Sequence, residues 1–428
     1  MYPTMEDIRK IAAKGQYKRV PVCRELYADR YTPVEMMRTL REASRHCYLL
    51  ESASQTEVWG RYSFLGYEPV MEITCTDGIM KIRRTEGADK EEITKQVAHP
   101  GDTLREILKE YKSPVMEDMP PFTGGLVGYF SYDYIKYSEP KLKLGEHEDP
   151  DFRDMDLMLF DQVIAFDHYR QKVLLITGVM LDDLENSLRK AEQKLQEMAD
   201  LIRSGKKAEF PPLQLDSEIR PQFPKEKYSQ MVEKAKHYIH EGDIFQVVLS
   251  NPMRAKAEGS LFDTYRVLRA TNPSPYMFYF SSDDIELAGA SPETLVKLEN
   301  KKLTTFPLAG TRPRGKTKQE DRELEEGLLK DEKELAEHNM LVDLGRNDVG
   351  RVCDFGTVRV SDYKAIKRFS HVMHITSKVT GQLSADKDAL DALRSVFPAG
   401  TLSGAPKIRA CEIIDELSRG GGGINGGG

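Results

Sequence analysis

Three stretches of this chain carry side chains whose types and spacing suit the handling of an anion or of a cation. The first is Pro307-Leu308-Ala309-Gly310-Thr311-Arg312-Pro313-Arg314-Gly315. Gly310 lets the backbone come close to a ligand, because no Cβ stands in the way. Thr311 adds a hydroxyl donor, and Arg312 and Arg314 add forked cations suited to carboxylates. An ordinary Gly/Pro surface turn with solvated arginines explains the same residues. The second stretch holds Glu334 and Glu337, which lie three apart and project from one face of a helix. Unplaced, such a pair is more often a solvated acidic stripe than a site. The third runs from Phe397 to Lys407 and includes Thr401. Its hydroxyl is either a ligand donor or simple turn chemistry. Lys407 either adds positive charge to a pocket or solvates a helix start after Pro406. Two more titratable residues stand apart from these stretches. Glu293, after Ser291-Pro292, is either a carboxyl that a turn points inward or a helix N-terminal glutamate favoured by the dipole. His374 lies in an alternating, strand-like run where a lone histidine is more often structural, and His371 competes with it.

The elements that must position these residues can be read from periodicity. Leu184, Leu188, Ala191, Leu195, Met198 and Leu201 recur at steps of three and four, which predicts an amphipathic helix. Lys172 to Leu181 reads as a buried strand, and Val163 to Phe166 as a shorter one. Tyr228 to His240 reads as a helix closed by Gly242, and Phe245 to Leu249 as a buried strand. The proline-rich segment 204–224 predicts a linker, since proline blocks helix interiors and central strands. That divides the chain into an N-terminal domain (1–203), a second domain (225–419) and a glycine-rich tail (420–428). Strands and helices alternate irregularly, which favours α+β over repeated βαβ units.

Bulk properties narrow the function classes. The chain has 428 residues, 31% charged and 39% hydrophobic, as in a soluble globular protein of two or three domains. No apolar run approaches the roughly 20 residues that span a bilayer, so no membrane role is expected. The formal net charge of −7 argues against non-specific nucleic-acid binding. Local cations or a metal must then hold an anionic substrate. The five cysteines form no Cys-x-x-Cys pair, and the polar N-terminus does not read as a signal peptide. Both point to a cytoplasmic protein.

The motifs, taken in order, resemble the chorismate-utilising enzymes, and most closely their anthranilate synthase component I branch. The resemblance rests on Leu49-Leu50-Glu51-Ser52, on Gly124 to Asp133, and on Asn272-Pro273-Ser274-Pro275-Tyr276-Met277. It rests further on Gly289 to Thr294, the Gly310 segment, Glu334 to His338, and Phe397 to Lys407. It implies an α+β fold, an α/β sandwich around two facing antiparallel β-sheets. It implies Mg²⁺-dependent conversion of chorismate and ammonia to anthranilate and pyruvate, the first step of tryptophan biosynthesis. In that likeness Glu293 is the acid for the departing C4 hydroxyl, and His374 assists pyruvate elimination. Gly310, Thr311 and Thr401 hold the substrate, Glu337 binds Mg²⁺ directly, and Glu334 binds it through water. Glu51, Ser52, Pro275, Tyr276 and Met277 resemble an allosteric site for L-tryptophan as feedback inhibitor. No Cys-His glutaminase constellation is visible, so ammonia from glutamine would need a partner amidotransferase subunit (component II) in a hetero-oligomer.

Two positions bear on the sister reactions. Ala309 stands where aminodeoxychorismate synthases often carry a nucleophilic lysine, and alanine forms no adduct. Gln246 stands where isochorismate-type enzymes place a water-activating lysine, and it has no titratable amine. Both favour amination, with an aminodeoxychorismate synthase component I as the alternative. The family's closing strands, its second pair of metal carboxylates and its substrate-binding Arg and Tyr belong after residue 419. The 428 residues alone are therefore expected to show little or no synthase activity, as a tryptophan-binding fragment would.

Overall fold

The computed structural model describes residues 1–52, 60–85, 91–142, 152–369 and 371–418. The glycine-rich tail, 420–428, lies outside the described residues. The chain forms two compact units. One comprises Met1–Gly128, Met155–Asp216 and Ala257–Pro292, the other Tyr129–Asp154, Ser217–Lys256 and Glu293–Gly428. The continuous halves expected from sequence are corrected accordingly: 129–154 groups with the second unit and 257–292 with the first. One passage between units falls at 216/217, inside the span read as a linker.

The first unit is built on a seven-stranded antiparallel sheet. Its order is Arg19–Tyr27, Lys172–Met180, Val163–Asp167, Tyr62–Tyr67, Cys47–Glu51, Tyr276–Ser281 and Glu286–Ser291. Lys172–Met180 is buried along most of its length, as its apolar run predicts. The helix Leu184–Ser204 covers the sheet with Leu188, Ala191, Leu195 and Met198, the residues picked out by periodicity. The helix Pro33–Ala43 starts at Thr32, whose hydroxyl accepts from the Glu35 amide, with Pro33 at the first helical position. Glu92–Gln96, Ile79–Arg84, Met71–Thr76, Met155–Phe160 and Gly125–Phe130, in that order, form a second sheet whose first four strands are antiparallel. The two sheets meet where Tyr48 and Phe160 pack edge to face, ring centroids 4.8 Å apart. Gly66 makes room for that pair, since a Cβ there would lie 2.3 Å from the Tyr48 ring.

The second unit centres on the long strand Val372–Gln382. It pairs antiparallel with Lys302–Thr305, Leu308–Pro313 and Arg359–Arg368, and Lys297–Glu299 extends the sheet. Met373, Ile375, Ser377 and Val379 are buried, so His374 points to the opposite, half-buried face. The helix Glu332–Gly350 packs Val342 and Val349 against Leu303 and Val379. Asp331 caps it, accepting from the Lys333 and Glu334 amides. A smaller core joins Met231 and Ala235 of the helix Lys225–His240 to Ala410, Ile413 and Leu417 of the helix Lys407–Ser418. Gly242, at φ +85°, follows the first of these as its sequence predicts. The buried strand expected from Phe245 to Leu249 is corrected. Only Gln246–Val247 pairs, with Gly404–Ala405, and Phe245 is 75% exposed. All five cysteines are buried and none forms a disulfide. No described helix is long and apolar enough to cross a membrane. Mixed helices and antiparallel sheets are thus the architecture that the sequence indicates.

Candidate functional site

A β-bulge organises the second unit's site. The register of Leu308–Pro313 against Val372–Gln382 slips between Ala309 and Thr311. Gly310 takes the slack at φ +75°, a conformation that side chains with a Cβ rarely adopt. A Cβ at Gly310 would lie 3.0 Å from Ile375 Cδ1 and 3.4 Å from Glu334 Oε2. The bulge therefore seats bare backbone beside the Glu334 carboxylate. Gly310→Ala is expected to destabilise the protein by about 1–2 kcal/mol, from the positive φ and the contact with Ile375. A lower urea midpoint at unchanged slope would show it, and an unchanged midpoint would refute the strain argument.

The same bulge orients His374. Its Nδ1 lies 3.0 Å from Thr311 Oγ1 and 3.3 Å from the Gly310 carbonyl. A carbonyl only accepts, so Nδ1 carries the hydrogen for that bond and Nε2 keeps a lone pair. Burial pushes the imidazole pKa below its ordinary value, and the Gly310 carbonyl opposes this. Burial thereby favours the neutral form of His374. His371 sits ahead of the strand and is exposed.

Glu293 has no helix behind it, so the dipole reading falls away. Thr401, in the one-turn helix Gly400–Ser403, donates from Oγ1 to Glu293 Oε1 at 3.0 Å. The two line a cavity of about 40 Å³ with Pro307, Leu341, Leu344 and Asp348. Burial raises the Glu293 carboxyl to about 7, while the Thr401 bond works the other way. A carboxyl poised there can donate a proton at neutral pH. Thr401 has one hydroxyl hydrogen, and Glu293 takes it. In this geometry Thr401, read from sequence as a substrate ligand, donates to Glu293.

The cations of the Gly310 segment are engaged within the protein. Arg312 donates to Asp331 at 2.7 Å and stands 3.5 Å from Glu334. Arg314 grips Asp321 at 2.8 Å and holds that carboxyl down at about 2. Glu334 and Glu337 share one face of their helix but meet different surroundings. Glu334 stands by Gly310 and Arg312, whereas Glu337 lines a cavity of about 750 Å³ with Gln246, Met340 and Ala405. Two half-buried carboxylates on one face fit the donor chemistry of a hard divalent cation that keeps several waters.

Sequence reasoning did not single out Asp348, which is 6% exposed and bonded by Lys407 Nζ at 2.8 Å. The signal was available. Glu334, Glu337, Leu341, Leu344 and Asp348 follow one another by three or four, so they form a single helical face. Lys407, read as either a pocket charge or a solvated helix start, is buried and paired.

In the first unit, strand pairing sets Met277 opposite Glu51, which joins two segments far apart in sequence. The candidate residues Glu51, Ser52, Pro275, Tyr276 and Met277 therefore fall on neighbouring strands and their ends. Glu51, however, already has partners within the protein. It is 7% exposed and accepts from Tyr265 Oη at 2.7 Å and from Arg269 Nε and Nη2 at 2.8 and 3.1 Å. Arg269 also lines a cavity of about 520 Å³ with Arg266, His168, Phe166 and Tyr31.

Comparison with known proteins supplies the context for both units. Residues 12–424 match the family described as chorismate binding enzyme. The chain is 41% identical to anthranilate synthase component 1 of Acetivibrio thermocellus, across 97% of this chain and 84% of that protein. It is 42% identical to the Pseudomonas aeruginosa protein of that name, across 96% and 84%. Among solved structures, anthranilate synthase component I from Streptococcus pneumoniae TIGR4 matches at 36% identity and a TM-score of 0.73. That match covers 86% of this chain and 79% of that one. MenF, the menaquinone-specific isochorismate synthase of Escherichia coli, is 16% identical with a TM-score of 0.63 and shares the fold.

Proposed function

Since the chain belongs to the chorismate binding enzyme family, and is an enzyme of anthranilate synthase type, we propose that it converts chorismate and ammonia to anthranilate and pyruvate. The observation that carries this reading is Glu293, a half-buried carboxyl raised to about 7 and bonded by Thr401. The reaction must expel a poor leaving group, the C4 hydroxyl. Glu293 gives its proton to that oxygen as the C4–O bond breaks and the ammonia lone pair bonds to C2. Glu293 is then a carboxylate, which the Thr401 hydroxyl stabilises. His374, neutral with its Nε2 lone pair available, assists the departure of pyruvate. Gly310 and Thr311 present backbone and a hydroxyl to the substrate carboxylate. Glu337, directly, and Glu334, through water, would hold Mg²⁺, which when bound neutralises and fixes a substrate carboxylate.

Ala309 and Gln246 support amination at C2 over the sister reactions. Ala309 is buried beside the bulge, and Gln246 lines the Glu337 cavity. Neither offers the amine that the alternatives require. The assay uses the full-length protein. With chorismate, Mg²⁺ and ammonium, anthranilate and pyruvate are the expected products by mass. Aminodeoxychorismate or isochorismate as sole product overturns the assignment. With glutamine as nitrogen source, turnover is expected only when an amidotransferase subunit is added.

The reading extends to feedback by L-tryptophan at Glu51, Ser52 and Pro275–Met277. It is supported by the pairing that joins these segments. Ser52→Arg introduces a long cation at the end of the strand that carries Glu51. It is expected to weaken tryptophan binding at least about tenfold by calorimetry, a loss of about 1.4 kcal/mol or more. Equal affinity in both proteins would remove the site.

A further inference from the structure

We propose that Lys407 and Asp348 are positioning residues of this enzyme, and that their buried ion pair fixes the turn that presents Thr401 to Glu293. Lys407 Nζ makes two bonds, to Asp348 Oδ2 at 2.8 Å and to the Val396 carbonyl at 3.0 Å. Lys407 is 9% exposed and Asp348 6%. Val396 ends the helix Ala389–Val396, and its carbonyl is one of those a helix terminus leaves unpaired. Lys407 begins the helix Lys407–Ser418. One ammonium thus closes the base of the loop that runs from Val396 to Lys407, and Thr401 stands inside that loop.

The rest of the loop is held against the long helix. Ser403 Oγ donates to the Ala399 carbonyl at 2.8 Å. Gly400 presses so closely on that helix that a Cβ would lie 2.8 Å from Leu344 Cδ1. Asp348 belongs to the same helix as Glu334 and Glu337. Lys407 therefore ties the turn bearing Thr401 to the helix bearing both carboxylates. Asp348 also faces the small cavity that Glu293 and Thr401 line.

A buried ion pair is a poor choice where only stability is needed, since apolar residues of like volume are often as good or better. An apolar pair cannot bind the Val396 carbonyl, nor choose one direction for the loop. Placement is what the charges add. Only the consequence for turnover rests on reading Glu293 as the acid.

The test reads Glu293 without turnover. Protein labelled with ¹³C at the glutamate carboxyls is titrated by NMR, and Glu293→Gln assigns the resonance. Thr401→Val removes a bond that favours the carboxylate and is expected to raise the Glu293 midpoint by roughly half a unit or more. The charge-free variant Lys407→Met/Asp348→Leu is expected to fold and to raise it by a similar amount. Because the pair acts through Thr401, the triple variant should show no further rise. The inference is overturned by an unmoved midpoint in the charge-free variant, or by a triple shift equal to the sum. It is overturned equally by failure of the charge-free variant to fold, which would make the pair a matter of stability. Turnover retained by Glu293→Gln would instead sink the acid reading and leave this inference standing.

Discussion

Glu293→Gln is expected to lower kcat by about two to four orders of magnitude, the usual contribution of a positioned proton donor, with KM for chorismate changed little. Glutamine keeps the shape and can still accept from Thr401, so what is lost is the proton. The pH dependence follows from the burial that raises this carboxyl to about 7. The donating form is the protonated one, so kcat should fall as pH rises through about 7, and the variant's residual rate should lack that limb. Stability carries the same signature. The folded state holds the Glu293 proton up to about 7, the unfolded chain only to about 4.5. Glu293 therefore contributes stability that is fully present below about 4.5 and lost as pH rises through about 7. Urea titrations at the two ends should show this decline in the parent and a flatter profile in the glutamine variant. A variant within threefold of the parent rate, or one that keeps the limb, assigns the proton to another group.

How much of this was legible in the sequence depends on the range of the interaction. Helices and buried strands show in local periodicity, which is why Leu184–Ser204 and Lys172–Met180 emerge where the apolar pattern puts them. Phe245 to Leu249 misled for the same reason. The run is apolar, but burial comes from neighbours in space, and Phe245 has few. Motif order pointed to Glu293, His374 and the Glu334/Glu337 pair, and the structure sets Gly310, Thr311 and His374 around one bulge. What the motifs could not say is which partner each charge already has. Arg312 and Arg314 read as anion receptors and turn out to hold Asp331 and Asp321. Glu51 resembled part of a tryptophan site and turns out to be held by Arg269, 218 residues along the chain. Such pairings are properties of the fold, and a single sequence does not display them.

The Glu51 cluster gives the other large effect. Arg269→Met is expected to destabilise the protein by about 3 kcal/mol, because it leaves a buried carboxylate with one partner, Tyr265. The glutamate side chain is 4% exposed, whereas that of Arg269 is 43% exposed, so the cost lies with the stranded charge rather than with lost arginine packing. Glu51→Gln in the same chain should recover most of the loss, since a neutral amide still accepts from Tyr265. Denaturation of the two single variants and the pair forms a cycle whose coupling isolates the ion pair. The same proteins test the inhibitor site. In the parent, an incoming ammonium competes with Arg269 for Glu51, whose carboxylate already accepts three bonds. Removing Arg269 takes away the competitor, so L-tryptophan should bind Arg269→Met more tightly and raise its melting temperature further than it raises the parent's. Adding Glu51→Gln should abolish that gain. Tighter binding that survives Glu51→Gln would place the ligand's amino group elsewhere, and an Arg269→Met protein as stable as the parent would show that Tyr265 alone suffices for the buried charge.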